Sequence, residues 1–262
     1  MAYGGNTTSM TKTAIVIGSG PNGLSAAITL AQAGVQVTVY ESESQPGGAA
    51  RTMELTRPGF HHDFGSAVLP MAVGSPFFRS LPLGKFGLQW IYSPAALAHP
   101  LDDGTAVMLW PELEQTAVGL GRDGGAWRRT FGPLARNWFG MAPDLLGPIN
   151  LLPRRPLLMA LLGLRGFPPA RWTANRIFKT ERAKALFAGL AAHSVLSLDE
   201  PLSAAFGIML GVTAHAVGWP VAQGGTQSLT NALIGYLESL GGSVRTNSRV
   251  GKLTDLPESD LV

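Results

Sequence analysis

The chain contains no cysteine. That removes a disulfide framework, a thiolate metal site and a cysteine nucleophile, and it suits a cytoplasmic or other reducing compartment. Charge is scarce too. Only 14% of the 262 residues are acidic or basic, against 45% hydrophobic. Such a chain is not disordered as a whole, and its length can bury one large or two small cores. The net charge of +3 is mild. No zinc-finger spacing, basic–aromatic RNA motif or helix-turn-helix pattern accompanies it, so no nucleic-acid partner is expected. No run of about eighteen apolar residues occurs, which argues against a membrane-spanning helix. Met1 to Lys12 is small and polar, lacks the apolar core of a secretory leader, and reads as a flexible tail. A nucleophile elbow, a Gly-Lys-Thr phosphate loop and a His-Glu-x-x-His helix are also missing. The sequence therefore offers no metal site, and no catalytic residue is assigned.

What is present is glycine in one informative place. Thr13–Ile17 is a short, β-branched, apolar run, as a strand buried on both faces requires. Gly18-Ser19-Gly20-Pro21-Asn22-Gly23 follows, then a helical stretch to Ala33 with Leu24, Ile28 and Ala31 on one face. Pro21 suits the first helical position and Gly34 the exit. Val35–Tyr40 reads as a second strand closed by Glu41. Together they spell a right-handed βαβ unit. In such a unit the first glycine turns the chain, the second leaves room for a pyrophosphate, and the third lets helix and strand pack closely. Free N–H groups at the helix start attract phosphate. Glu41 is placed to accept from a ribose, and its charge disfavours a 2′-phosphate.

The spacing to Glu41 fits FAD or NAD equally. Gly47, Gly48 and Arg51 come directly after, and side-chain-free backbone followed by a fixed cation suits a second approach to a diphosphate. The extended pattern resembles flavoproteins of the phytoene dehydrogenase-like and amine oxidase superfamily. That pattern is strand, Gly-x-Gly-x-x-Gly-Leu, Ala-rich helix, strand, Glu, then Gly-Gly-x-x-x-Thr. His62-Asp63-Phe64-Gly65-Ser66 and Gly218–Gly225 add to the likeness, which is specific over residues 12–66 and 216–254. Within the superfamily the pattern is nearest to the proteins called pyridine nucleotide-disulfide oxidoreductase domain-containing protein 2.

The resemblance implies FAD as cofactor. Gly18, Ser19, Gly20, Pro21, Asn22 and Gly23 would lie at the pyrophosphate, and Glu41 on the adenosine ribose. Gly47, Gly48 and Arg51 would lie along the diphosphate, Gly65 and Ser66 towards the flavin, and the Val250 backbone at adenine. It also implies hydride abstraction from an apolar or lipid-like small molecule. The implied fold is α/β. A Rossmann-type domain, with parallel strands in the order 3-2-1, spans 13–90 and 219–262, and a mostly helical α+β substrate domain spans 91–218. In the family further chain follows the point where this sequence stops, so strand 1 is expected to have an open edge prone to self-association.

In the middle block, Ala96–Leu101 and Thr105–Trp110 flank Asp102-Asp103-Gly104 as a hairpin. Helices are expected at 123–139, 141–146, 170–177, 181–192, 202–217 and 226–240. A small β meander is expected from Val250. Pro156–Leu164 is almost wholly apolar and is collared by arginines over 154–184. It reads as a buried substrate-domain helix with its arginines on the wet side, or as a peripheral membrane contact. His61 and His62 alternate on an extended segment and point to opposite faces, which suits a structural role better than metal binding. His193 and His215 lie in apolar helical surroundings and fit hydrogen-bonded core positions, with a place in a substrate pocket as the alternative. Two other functional classes stay open: an NAD-binding Rossmann protein, and a non-catalytic lipid-binding fragment.

Overall fold

The computed structural model describes residues 12–148 and 151–262. Apart from Lys12, the expected tail lies outside them. In chain order the elements begin β1 (Thr13–Ile17), α1 (Pro21–Gln32), β2 (Gln36–Tyr40), β3 (Thr52–Glu54), β4 (His61–Asp63), α2 (Pro70–Gly74) and α3 (Pro76–Ser80). Next come β5 (Trp90–Tyr92), β6 (Leu97–Pro100), β7 (Ala106–Leu109), α4 (Leu113–Gly119), α5 (Gly124–Arg136), α6 (Trp138–Leu145) and α7 (Pro156–Gly166). The chain continues through α8 (Ala170–Ile177), α9 (Glu181–Ala191), α10 (Ser203–Val217), β8 (Pro220–Ala222), α11 (Gln227–Ser239) and β9 (Ser243–Arg245).

Two compact units result. One holds residues up to Ala67, Pro82–Trp90 and Val221–Val262; the other holds Val68–Leu81 and Ile91–Pro220. Residues 68–81 thus join the second unit, whereas the sequence pattern assigns them to the first. The apolar run of α2 explains the difference, because Met71 packs on the second unit's core and the Gly74 carbonyl accepts from Trp138 Nε1 (3.0 Å).

The first unit is built on a parallel sheet in the order β1-β2-β9, which is the expected 3-2-1. Val37 and Val39 of the central strand and Ala14 and Ile15 of β1 are buried, as are Leu24, Ala27, Ile28 and Ala31 of α1. Gly23 is what lets α1 lie down on β1. A methyl group there would stand 2.0 Å from the Gly18 carbonyl oxygen. α11 packs beside α1 and against β9, burying Leu229, Ala232, Leu233 and Leu237. The outer edge of β1, expected to be open, is covered over its first half and left open at Ile17, which is 48% exposed. The Ile15 N–H donates to the Leu261 carbonyl (3.0 Å), and the Thr13 N–H donates to Asp260 Oδ2 (2.7 Å). Ser259–Leu261 turns back beside β1 because Asp260 and Thr13 bond each other twice more through the Thr13 hydroxyl. The expected β meander is absent. Leu253–Asp255 is a 3₁₀ turn, held because Asp255 Oδ2 accepts the Lys252 N–H (3.0 Å).

The second unit is mainly helical, with the expected β6–β7 hairpin paired antiparallel. Its core is aromatic. Trp127, Phe131, Trp138, Phe178 and Phe187 are fully buried, and the Trp127 and Phe131 rings lie 4.2 Å apart. α10 is apolar on all sides and central, as a helix without a polar face must be. His215 is a core histidine. Trp127 Nε1 donates to its Nε2 (2.9 Å), and its Nδ1 lies 3.1 Å from the Pro111 carbonyl. Since the indole can only donate, the proton sits on Nδ1 and the ring is neutral; burial pushes its pKa down. His193, by contrast, is exposed, with Nδ1 3.1 Å from the Gly189 carbonyl.

A buried acid organises one corner of this unit. Asp123 accepts the N–H groups of Lys179 (2.9 Å) and Thr180 (2.7 Å) and the Thr180 hydroxyl (2.6 Å), ahead of α9. Burial opposes its charge, but these donors outweigh burial and lower its pKa. Asp123→Ala strands three donors, so a loss of about 2–4 kcal/mol in urea unfolding is expected; a change within experimental error would contradict this reading.

Candidate dinucleotide-binding site

The site begins with register. Ile17 pairs with Tyr40 in the parallel ladder, so the two strands end side by side and release Gly18 and Glu41 together. The Gly18 N–H donates to the Tyr40 carbonyl (2.8 Å), and the chain turns there with a φ of +96°, a conformation that suits glycine. Ser19 then faces Glu41. Its N–H donates to Glu41 Oε2 (2.9 Å), and its hydroxyl donates to the same oxygen. The other oxygen, Oε1, accepts the Glu43 N–H (3.0 Å) and the Ser42 hydroxyl (3.2 Å). Ser19 is 0% exposed and Glu41 only 7%.

A carboxylate with four donors is strongly stabilised as an anion. Burial would raise its pKa, but the bonds from Ser19, Glu43 and Ser42 prevail and hold the carboxyl at about 2, against 4.5 ordinarily. The approach of Ser248, whose N–H donates to the Glu41 carbonyl (2.7 Å), fixes the same corner from the far side. Val250 lies two residues beyond and is half-buried.

Ser19 reaches further. Its hydroxyl oxygen accepts the Gly47 N–H (3.0 Å), which draws the second glycine turn onto the first. Gly48 stands so close that a methyl group on it would lie 3.2 Å from Gly20 Cα. The first turn of α11 clamps this second turn. Thr230 Oγ1 donates to the Ala50 carbonyl (2.8 Å), and Gln227 Nε2 to the Pro46 carbonyl (3.2 Å). Asp63 Oδ1 completes the clamp by accepting from Thr52 Oγ1 (2.7 Å) and from the Thr226 N–H (2.9 Å). Its negative charge lies at the N-terminus of α11, where the helix dipole favours it.

In front of the first turn there is space. A methyl group built on Gly18 or Gly20 meets nothing within 4 Å. The first helical N–H bonded back is that of Leu24, to the Gly20 carbonyl (3.0 Å). Among the described residues, the N–H groups of Gly20, Asn22 and Gly23 have no protein acceptor, and Pro21 has none to offer. Open space, unmet donors and a helix N-terminus together make an anion cradle.

Of the residues singled out in the sequence, Gly18 to Gly23, Glu41, Gly47 and Gly48 are brought together. Arg51 joins them: its Nε donates to the Gly48 carbonyl (2.8 Å), and its guanidinium lies over the Phe64 ring at 4.9 Å. Gly65 packs on Ala49, where a methyl group would stand 2.7 Å from the Ala49 carbonyl oxygen. Ser66 is exposed. His61 and His62 do not converge. His61 lies 3.8 Å from Glu54, and His62 is bonded to Thr56 Oγ1 (2.8 Å). Gln227 and Thr230 escaped sequence reading, since their partners lie about 180 residues away in the chain.

Residues 16–80 match the family model of the NAD(P)-binding Rossmann-like domain. The phytoene desaturase (lycopene-forming) of Pseudescherichia vulneris is 28% identical over 92% of this chain and 50% of its own. A limonene dehydrogenase polypeptide of Castellaniella defragrans is 34% identical over 41% of this chain and 19% of its own. The chain thus spans at most half the length of these curated relatives. Among solved structures, a putrescine oxidase bound to putrescine superposes with a TM-score of 0.55 at 20% identity, covering 90% of this chain and 51% of that one. An oxidoreductase from Methanosarcina mazei gives 0.55 at 19% identity, with coverage of 90% and 51%. The chain has the Rossmann fold of these oxidoreductases. In both superpositions it accounts for about half of the neighbour.

The Glu41 pKa has a measurable consequence. Because folding lowers it from 4.5 to about 2, its contribution is complete above pH 4.5 and is lost as pH falls through about 2. The shift corresponds to about 3 kcal/mol. Glu41→Gln should be less stable in urea near neutral pH by a loss of this order, and the gap should close in acid near pH 2. A gap that persists there would show that the carboxylate's charge is not what holds the turn.

Proposed function

We propose that this chain holds the ADP part of FAD in an oxidoreductase that abstracts hydride from an apolar or lipid-like substrate. The observation that carries this is the open cradle at Gly20, walled by the second glycine turn and backed by Glu41. A pyrophosphate would take the N–H groups of Gly20, Asn22 and Gly23. The Arg51 guanidinium, anchored through Nε alone, keeps its remaining N–H groups for a diphosphate oxygen.

Glu41 already accepts four hydrogen bonds, which fills the capacity of a carboxylate. A ribose hydroxyl would therefore replace the Ser42 hydroxyl, the longest of the four at 3.2 Å. Gly65 and Ser66 would lie towards the flavin, and Val250 would offer its backbone to adenine. When bound, FAD supplies the two-electron acceptor; the residues described bind and orient it. Relatives named phytoene desaturase and limonene dehydrogenase support a hydrocarbon-like substrate. The motifs at 62–66 and 218–225 support a place near pyridine nucleotide-disulfide oxidoreductase domain-containing protein 2. A reducing compartment agrees with the lack of cysteine.

A second reading is favoured by the matched family's description, which is NAD(P)-binding. The same cradle would serve NAD, while the buried Glu41 anion works against a 2′-phosphate. Purified protein should carry a visible flavin absorption band, and FAD should be recovered on denaturation. Gly20→Val fills the cradle and should reduce flavin content at least tenfold, while a circular dichroism melt stays close to wild type. Protein with no flavin band that binds NAD in calorimetry would decide for the second reading, and undiminished flavin in Gly20→Val would refute the site.

A further inference from the structure

α7, read from the sequence as a buried helix with its arginines on the wet side, is buried on one side only. Leu158, Met159, Leu161 and Leu162 pack against the core of the second unit. Leu157 and Leu164, one heptad apart, are 85% and 76% exposed, and Ala160 between them is exposed as well. These three positions share one side of the helix. The stripe continues past the helix end into exposed Phe167. There the Leu202 N–H donates to the Phe167 carbonyl (2.8 Å), which brings a further half-exposed leucine alongside.

Charge is distributed to match. Eight of the chain's twenty cations and one of its seventeen acids fall within residues 151–184. This stretch is therefore +7 and the rest of the chain −4. Not all eight cations are available. Arg165 is drawn inward to the Thr130 carbonyl (2.6 Å), Arg182 bonds the Ala106 carbonyl (2.6 Å), and Arg171 and Lys184 pair with Asp199 and Glu181. Arg154 and Arg155, directly before α7, are exposed, as are Arg176 and Lys179. Among the described residues no helix is long and apolar enough to cross a membrane.

We propose that α7 docks on the surface of an anionic lipid bilayer, lying in the interface plane with Leu157, Ala160, Leu164 and Phe167 inserted and Arg154 and Arg155 on the headgroups. An exposed apolar stripe beside concentrated positive charge is the pattern that binds such an interface. A protein partner would be served by the leucines alone, but beside them the exposed side chains of Arg154 and Arg155 meet no carboxylate among the described residues, although the Arg154 N–H donates to Asp144 Oδ2 (2.7 Å), and cations left unpaired next to an apolar stripe favour a surface of uniform negative charge. The proposal does not depend on the cofactor reading.

The test is flotation of the full chain with vesicles of equal parts phosphatidylglycerol and phosphatidylcholine, and with phosphatidylcholine alone. Binding to the anionic vesicles is expected, weakened by salt and at least about tenfold weaker on the neutral ones. Leu157→Glu/Leu164→Glu should lower binding about tenfold or more, and Arg154→Gln/Arg155→Gln by a similar factor. Because these side chains face solvent, the variants should keep the wild-type melting curve. Equal binding by wild type and Leu157→Glu/Leu164→Glu would overturn the proposal. So would absence of binding to the anionic vesicles; a concentration-dependent dimer, seen in light scattering, that the same variant abolishes would then assign the stripe to a second copy of the chain.

Discussion

A buried carboxylate holds the first unit's functional corner. Glu41 ends the central strand of its sheet, and its oxygens gather the turn before α1 through Ser19. Ser19 in turn gathers the next glycine turn through Gly47. Both glycine turns meet at that contact, and α11 clamps the second from its other side. The contact succeeds because donors meet the anion from the backbone as well as from hydroxyl groups, so the cost of burial is offset without a cation.

The same solution recurs. Asp63 is met by Thr52 and Thr226, and Asp123 by Lys179 and Thr180 through backbone N–H and hydroxyl groups. In each case an acid fixes an irregular segment against the start of a helix. The ion pairs Arg128–Glu114 and Arg171–Asp199 are exposed and contribute little. Order in this protein therefore comes from acids satisfied by backbone, laid over apolar packing. This suits a chain with few charges. Each of these acids, Glu41 and Asp123 buried and Asp63 half-buried, sits where the backbone leaves regular structure and has N–H groups to spare.

Such an arrangement also explains how a cradle stays open. The free N–H groups of α1 face space because the acid that might have capped them is already committed to Ser19. The helix start is left for a ligand, while the turn that shapes it is held from behind. Turns held from behind, with unmet donors in front of them, make an anion site without the ligand's help.

The βαβ unit was legible because its information is local. β-branched strands, Pro21 at the helix start, Gly34 at its exit and Glu41 at the strand end all signal within one short stretch. The helices of the second unit were legible for the same reason, since periodicity and capping are read over a few turns; Ala170–Ile177 was found to the residue. The clamp of Gln227 and Thr230 on residues 46–50 was not, nor was the return of Leu261 to β1, nor Asp123 ahead of α9. Each joins residues far apart in the chain, and hydrogen-bonding residues are alike in sequence whether or not a partner will meet them. The exposure of Leu157 and Leu164 belongs to the same class. An apolar helix reads identically buried or half-bare, and only the packed neighbours decide which side is covered. The amino-acid sequence by itself determined the dinucleotide cradle and most elements, because local backbone chemistry specifies them; tertiary structure alone decided which buried acids hold them and which faces stay open, because burial is a property of what packs together.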